Sequence, residues 1–351
     1  EMCIRDSNLQ LSKSPVNGST GASGNNRQRA ITDIMKKFFT LISALAMIVL
    51  IGMGKEYLIQ LQMKNGEEHS FPVTSVDEIR FIAIDDALPE DPYPSATDFS
   101  QKALLLQHTG TKCVHCPMMV MGLRNLAGDA AYSSRFTLAA LHSYSGDPMS
   151  NATVRAISDA YRGNNGWPYT TADFKKNGVG NNSSINIITD NLKNLVDNEL
   201  SASVPSGIAS ISQLNNRTLN LTLAMKAGVD GDYRVGAFVI EDGVKAEQDN
   251  AHTDVTGDAD FSTHNNVLRA AVGPDAEGTY TGIDLGSVKK GKTAYTTQEL
   301  ELGSGWKAEN CRLLIYVAQK VDGQWICVNS AYAPLDLSLI HISEPTRPEP
   351  I

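Results

Sequence analysis

The strongest fold signal in the chain is the stretch Thr109-Gly110-Thr111-Lys112-Cys113-Val114-His115-Cys116-Pro117. The short apolar run Ala103-Leu104-Leu105-Leu106 precedes it, and a helical pattern follows it through Leu126. A second apolar run, of the length of a buried strand, spans residues 136–141. Apolar residues then recur at helical spacing at Ile185, Ile188, Leu192, Leu195 and Val196. This alternation predicts an α/β domain over residues 96–205, with helices covering a sheet.

The cysteine pair stands where a strand would lead into a helix, and a helix N-terminus stabilises a thiolate through its unpaired amides and its dipole. Cys113 is the predicted nucleophile and the more exposed of the two, and Cys116 would resolve the mixed disulfide. His115 between them would lower the thiolate pKa further. A structural disulfide is the main alternative. A zinc site in which the pair supplies two of the four ligands is a weaker alternative. The other two cysteines of the predicted domains, Cys311 and Cys327, lie far apart in predicted strands.

Together with Gly166-Trp167-Pro168, the cysteine stretch resembles the thioredoxin-like superfamily. The resemblance implies that Pro168 is a cis-proline beside the cysteines, where it would tune the site together with His115. An ordinary turn proline is the alternative. This sequence departs from the superfamily pattern at Lys112, where a tryptophan usually precedes the first cysteine. No carboxylate stands out as a proton acceptor for Cys116, so efficient reduction of substrates is not expected.

Beyond Pro205 the sequence consists of short strand-like runs with Asp-Gly turns, such as Asp242-Gly243 and Asp322-Gly323. This pattern favours an antiparallel sandwich. The predicted fold class is α+β and multidomain: a thioredoxin-like α/β domain followed by an Ig-like antiparallel β-sandwich over residues 206–336. The register of the Asp322-Gly323 hairpin does not place Cys311 opposite Cys327, so both are predicted to be free buried thiols.

The segments before residue 96 are predicted to lie outside both domains. Met35-Lys36-Lys37 and the apolar run after it predict a signal peptide over residues 35–54, since the run is shorter than the ~20 residues of a membrane-spanning helix. A retained membrane anchor is the alternative. A small β-hairpin unit is predicted over residues 55–84, and a linker with three prolines over residues 85–95.

The two ends of the chain resemble a translated sequencing adapter. With suitable codons, one oligonucleotide encodes residues 2–6 on one strand and residues 337–342 on the other. Residues 1–34 are therefore predicted to be disordered upstream read-through, and residues 337–351 an adapter-derived tail.

A further resemblance is carried by motifs in the second half of the chain. His264-Asn265-Asn266-Val267-Leu268-Arg269, with Ile240-Glu241-Asp242-Gly243 and Asn310-Cys311, resembles the outer membrane protein 28-related family over about residues 95–335. That family joins a thioredoxin-like domain to a C-terminal β-rich domain. The resemblance implies an exported protein of a Gram-negative cell envelope, located in the periplasm or at the outer membrane or cell surface.

The formal net charge of -9, without a basic patch, argues against a nucleic-acid partner. No nucleotide-binding loop, metal-binding histidine pair or serine nucleophile elbow stands out, so no cofactor and no metal are predicted. His142 is predicted to be a hydrogen-bonded structural histidine or a residue near the site, and His264 and Arg269 receive no catalytic role.

Two functions stay open. One is a thiol-disulfide oxidoreductase with Cys113 and Cys116 as catalytic residues. The other is a binding or adhesion module with a structural disulfide. A protein or peptide partner is expected in both, and membrane association stays open.

Overall fold

The computed structural model describes residues 58–62, 68–75, 98–273 and 278–341. The chain divides into two compact units, Glu1–Asp86 and Ala87–Ile351. In the first unit, strands β1 (Leu58–Gln62) and β2 (Glu68–Pro72) pair antiparallel, and a 3-10 turn follows at Val73–Ser75. The predicted signal peptide over residues 35–54, the linker over 85–95 and residues 1–34 lie outside the described residues.

The described part of the second unit is mixed α/β, and strands outnumber its four helices. The helices are α1 (Cys116–Gly128), α2 (Ala152–Arg162), α3 (Ile185–Ala202) and α4 (Thr253–Thr256). The strands are β3 (Ala103–Thr109), β4 (Phe136–His142), β5 (Tyr169–Ala172), β6 (Gly178–Gly180), β7 (Gly207–Asn215), β8 (Thr218–Lys226), β9 (Gly231–Glu241), β10 (Val244–Lys245), β11 (Thr263–His264), β12 (Val267–Val272), β13 (Ile283–Val288), β14 (Thr293–Glu301), β15 (Cys311–Val321), β16 (Gln324–Pro334) and β17 (Leu337–His341).

The first half of this unit runs β3-α1-β4-α2-β5-β6-α3, with the sheet order β4-β3-β5-β6. Strand β3 is parallel to β4 and antiparallel to β5, and every residue of β3 is buried, as expected of a strand covered on both faces. Helices α1 and α3 cover one face and pack closely at Gly122, where an added Cβ would lie 2.5 Å from Cγ2 of Ile188. Helix α2 covers the other face, and the Asn151 side chain caps it by accepting from the Val154 N–H at 2.9 Å.

The same sheet continues into the second half of the unit. Strand β12 pairs parallel with β4 through Val267 and Ala140, and β9, β15 and β16 follow outward, giving a nine-stranded sheet when β13 is included. Strands β14, β8, β7 and β17 form a four-stranded antiparallel sheet. Apolar residues of β7, β8, β9 and β15 share one core. The boundary at residues 205/206 stays a prediction, and strands from both sides of it share one sheet.

Strand β17 pairs with β7 and lies within the segment that the sequence assigns to an adapter-derived tail. Backbone pairing at a sheet edge uses N–H and C=O groups that every non-proline residue carries. The pairing of β17 with β7 can therefore form whatever the origin of residues 337–351.

A buried carboxyl group lies where β3 begins. Oδ1 of Asp173 accepts from the Leu104 N–H at 2.7 Å, and the Asp173 carbonyl accepts from the Cys327 N–H at 3.1 Å. Burial raises the pKa of Asp173 to about 8, and the negative charge of Glu199 adds to the shift. Asp173 is therefore mostly protonated at neutral pH, at the opposite end of β3 from the cysteine loop.

Candidate functional site

The loop between β3 and α1 holds the two predicted site cysteines. Cys113 and Cys116 form a disulfide with a Cα–Cα distance of 5.4 Å. The Cys113 N–H donates to the Gly110 carbonyl and the Cys116 N–H to the Cys113 carbonyl, both at 3.1 Å. Gly110 is required here because an added Cβ would lie 2.2 Å from Cβ of Tyr144. Cys113 is only 3% exposed and Cys116 is fully buried. Cys113 is thus the more exposed of the two, but both cysteines are buried.

Residues 246–252, which we call the strap, account for that burial. The Asp249 N–H donates to the Thr111 carbonyl at 2.8 Å, and the Ala251 N–H donates to the Val114 carbonyl at 3.0 Å. Nε2 of Gln248 lies within hydrogen-bond distance of the carbonyl oxygens of Gly110 at 3.2 Å, Thr111 at 3.0 Å and Cys113 at 3.1 Å. The strap thus pairs with the outer edge of the disulfide loop.

The predicted site-tuning histidine also contacts the strap. Nδ1 of His115 lies 2.7 Å from Nε2 of His252, so one ring must donate and the other accept. Nζ of Lys112 lies 3.3 Å from Oδ1 of Asp249, in an exposed ion pair of the kind that contributes little stability. These contacts hold the His115 ring against the strap.

Pro168 lies at the cysteine end of the sheet. The peptide bond between Trp167 and Pro168 is cis, and Pro168 is buried. Tyr169, the next residue, pairs with His108 near the end of β3. The fold therefore brings Cys113, His115 and Cys116 together in one loop and places Pro168 at the same end of the sheet.

A cavity of about 150 Å³ lies beside this loop. One wall is apolar and comes from α1 and β4. The other is polar and includes Gln107, His142, Gln248 and His264. The His142 and His264 rings meet edge to face with centroids 4.9 Å apart. The mouth carries the exposed residues Arg124 and Asn265.

A buried carboxylate fixes one of these rings. Nδ1 of His142 lies 2.9 Å from Oδ2 of Asp147, and that oxygen also accepts from the Thr111 N–H at 2.6 Å. Burial would raise the pKa of Asp147, but hydrogen bonds from His142, Thr111 and Met149 outweigh it and leave the pKa below its ordinary value. The Asp147 carboxylate therefore orients His142 and anchors the start of the disulfide loop.

The sequence identifies the cysteines but not the strap or the cavity. The strap lies about 135 residues from the loop it covers, and no short-range pattern signals that pairing. The cavity carries a weaker signal, because Gln107-His108-Thr109 continues an apolar strand with polar residues that stay buried. His142 is the hydrogen-bonded histidine that the sequence predicts. Arg269, which has no predicted catalytic role, forms an ion pair with the buried Glu241, with 2.7 Å between Nε and Oε2.

Within residues 58–62, 68–75, 98–273 and 278–341, no cluster of three or more His, Cys, Asp or Glu side chains could hold a metal ion. Among the described helices, none combines the length and the hydropathy needed to cross a membrane.

Comparisons with known proteins show similarity of fold. No protein-family model matches the chain, and no curated protein sequence matches it. Among solved structures the chain is similar to HBP35 of Porphyromonas gingivalis, with a TM-score of 0.53 and 16% sequence identity. The match covers 72% of this chain and 79% of that chain. At this identity the similarity concerns the fold alone.

Proposed function

We propose that this chain is an exported Gram-negative cell-envelope protein related to the outer membrane protein 28-related family. Its thioredoxin-like half acts as a scaffold for binding a protein or peptide, and the Cys113–Cys116 disulfide is structural. The observation that carries this proposal is the burial of Cys113, at 3% exposure, under the strap.

The thioredoxin-like assignment is supported by the order of elements. A βαβαββα chain with the sheet order β4-β3-β5-β6 puts the disulfide loop after the first strand and the cis-proline before the third. A fold by itself does not specify a function. The function must therefore be argued from the loop.

Export is supported by the signal-peptide pattern over residues 35–54 and by the disulfide, since disulfides persist in oxidising compartments. We expect the N-terminus of the exported protein, sequenced from isolated envelopes, to lie near Gly54. An intact residue 35–54 segment in mature protein would contradict cleavage.

The geometry favours a structural bond because disulfide exchange requires a thiolate to reach one sulfur. The strap occupies the approach to Cys113 with two backbone hydrogen bonds and the Gln248 amide. Cys116 is fully buried. A substrate thiolate therefore cannot reach either sulfur while the strap is in place.

The test is the reduction potential of the Cys113–Cys116 pair together with insulin-reduction activity. We expect a potential below about -300 mV, the range of structural disulfides. Wild type and Cys113→Ser should both reduce insulin at the background rate. A potential near that of thioredoxin, about -270 mV, with activity that Cys113→Ser abolishes, would overturn the proposal.

Thiol-disulfide exchange is the second candidate, because the strap is attached mainly through hydrogen bonds that can open locally. If the strap covers an active pair, Gln248→Ala should gain insulin-reduction activity. The exposed Gln213→Ala is the matched control and should not. Absence of activity in both variants supports the structural disulfide.

A further inference from the structure

The cavity beside the disulfide loop contains a buried donor without a partner. Gln107 is 5% exposed and lines the cavity, and its Nε2 has no hydrogen-bond partner among the residues that the structure describes. Leaving a buried donor unpaired is costly, so such groups are uncommon in folded proteins. A ligand carbonyl in the cavity would satisfy the Gln107 amide.

Two imidazole rings line the same cavity, and one of them supplies an acceptor. Nδ1 of His142 lies 2.9 Å from Oδ2 of Asp147, so this carboxylate holds the ring in place beside the cavity. Nε2 of His264 lies 3.1 Å from the Ala246 carbonyl and must carry the proton, which leaves Nδ1 as an acceptor. Burial, followed by the charge of His142, lowers the pKa of His264, so its ring is neutral at neutral pH.

The opposite wall is apolar and small. It consists of Val120, Leu123 and Ala127 from α1 and of Leu138 and Ala140 from β4. The cavity volume of about 150 Å³ matches that of protein cavities that hold a benzene ring. A single ring or a branched aliphatic group fits this space, and a larger molecule would have to extend through the mouth beside Arg124.

We propose that this cavity binds a primary carboxamide carried on a small apolar body. The carboxamide oxygen accepts from Nε2 of Gln107, the NH₂ group donates to Nδ1 of His264, and the apolar body packs on α1. A carboxylate has no hydrogen to donate and would add a negative charge near Asp147. The inference rests on the proposed binding function and names its ligand chemistry.

The carboxamide has two sources, which separate probes distinguish. One is the side chain of a glutamine in a polypeptide, represented by the blocked peptide acetyl-Ala-Gln-Ala-amide. The other is a free small amide, represented by benzamide and isobutyramide. Tighter binding of the peptide assigns a polypeptide ligand, and tighter binding of the small amides assigns a free one. Either result supports the carboxamide site.

The experiment titrates the disulfide-intact protein with each probe and follows binding by NMR. At least one carboxamide probe should bind saturably, and benzamide should bind at least about tenfold more tightly than benzoate or benzyl alcohol. Gln107→Met keeps the length of the side chain but removes the amide, and it should weaken binding about three- to tenfold, the effect of one hydrogen bond. Gln213→Met, on an exposed strand position, should leave the affinity unchanged.

Three results would overturn the inference. They are no saturable binding of any carboxamide probe, binding of benzoate or benzyl alcohol as tight as that of benzamide, and a Gln107→Met affinity equal to wild type. Thermal melts identify a variant that fails to fold, in which case His264→Phe replaces it and should weaken binding by the same factor. The disulfide reduction potential is measured on the same samples. It reports on the proposed structural bond independently of amide binding, so the two proposals fail separately.

Discussion

The two cysteine pairs of this protein are buried to a similar extent but by different structures. Cys113 and Cys116 form a disulfide under the strap, which covers them through hydrogen bonds. Cys311 and Cys327 are free thiols inside paired strands, offset in register because Cys327 stands opposite Ala318. Burial raises the pKa of Cys311 to about 11 and that of Cys327 well above its ordinary value. The first pair can become exposed by local opening, whereas the second requires the sheet to open.

The largest expected effect follows directly from this difference. After reduction, iodoacetamide should modify Cys113 and Cys116 at least about a thousandfold faster than Cys311 and Cys327, because a strap opens at a lower free energy than a core strand. Peptide mapping by mass spectrometry measures each rate. Equal rates at these four of the five cysteines would show that strap and core open in one cooperative unfolding step.

Acid should destabilise the loop end of the sheet. His108 is fully buried between the Ser158 and Thr171 hydroxyls, and burial, with the nearby charge of Arg162, lowers its pKa to about 3. The unfolded chain binds a proton at a higher pH than the folded protein does. Stability is therefore lost as the pH falls from 6.5 toward 3, by about 3 kcal/mol at pH 4.

Urea unfolding of His108→Gln, which can keep both hydroxyl contacts, should show little of this acid loss. The exposed His115→Gln should retain it. An acid profile of His108→Gln identical to that of wild type would place the loss in other groups.

A rise in pH from about 4 to 8 should destabilise the end of the sheet near Cys327. The pKa of Asp173 in the folded protein, about 8, lies above its ordinary value of 3.8. The unfolded chain therefore loses this proton at a lower pH, and the free energy of unfolding falls as the pH rises from 3.8 to 8. Asp173→Asn should therefore stabilise the protein by on the order of 2 kcal/mol at pH 8. Asparagine also tolerates the φ of 50° at this position.

Asp322→Asn is the matched control for Asp173→Asn, because Asp322 has a φ of 51° in an exposed turn. It should change stability little between pH 4 and 8. If both variants gain equally in urea unfolding, backbone preference rather than the buried carboxyl group explains the effect.

The smallest expected effect concerns the strap alone. Gln248→Ala removes the amide that reaches three loop carbonyl oxygens and should speed reduction of the disulfide by dithiothreitol about tenfold, a change of about 1.4 kcal/mol. Gln213→Ala should leave the rate unchanged. An unchanged rate in Gln248→Ala would mean that backbone pairing is sufficient to hold the strap.

The sequence predicts local elements better than long-range contacts. The run from Ala103 through the cysteines to Leu126 forms a strand, a loop and a helix as expected, and Cys311 and Cys327 are free buried thiols as expected. These features depend on neighbouring residues, whose periodicity and turn chemistry are visible in the chain.

The near-complete burial of Cys113 could not be predicted, because it depends on a segment more than 130 residues away. The cavity has the same origin: Gln107 and His264 come from distant strands, and only the fold brings them together. The joining of β4 to β12 is equally invisible, since parallel pairing leaves no turn between the strands to signal it.

The pairing of β12 with β4 has a consequence for solubility. In the four-stranded part of the sheet, β4 would be an edge strand, and its backbone groups would be open to pairing with another chain. The Ala140 N–H instead donates to the Asn266 carbonyl at 2.7 Å, and β12 covers the edge from within the same molecule. The second half of the chain thus protects the first half against intermolecular strand pairing and aggregation.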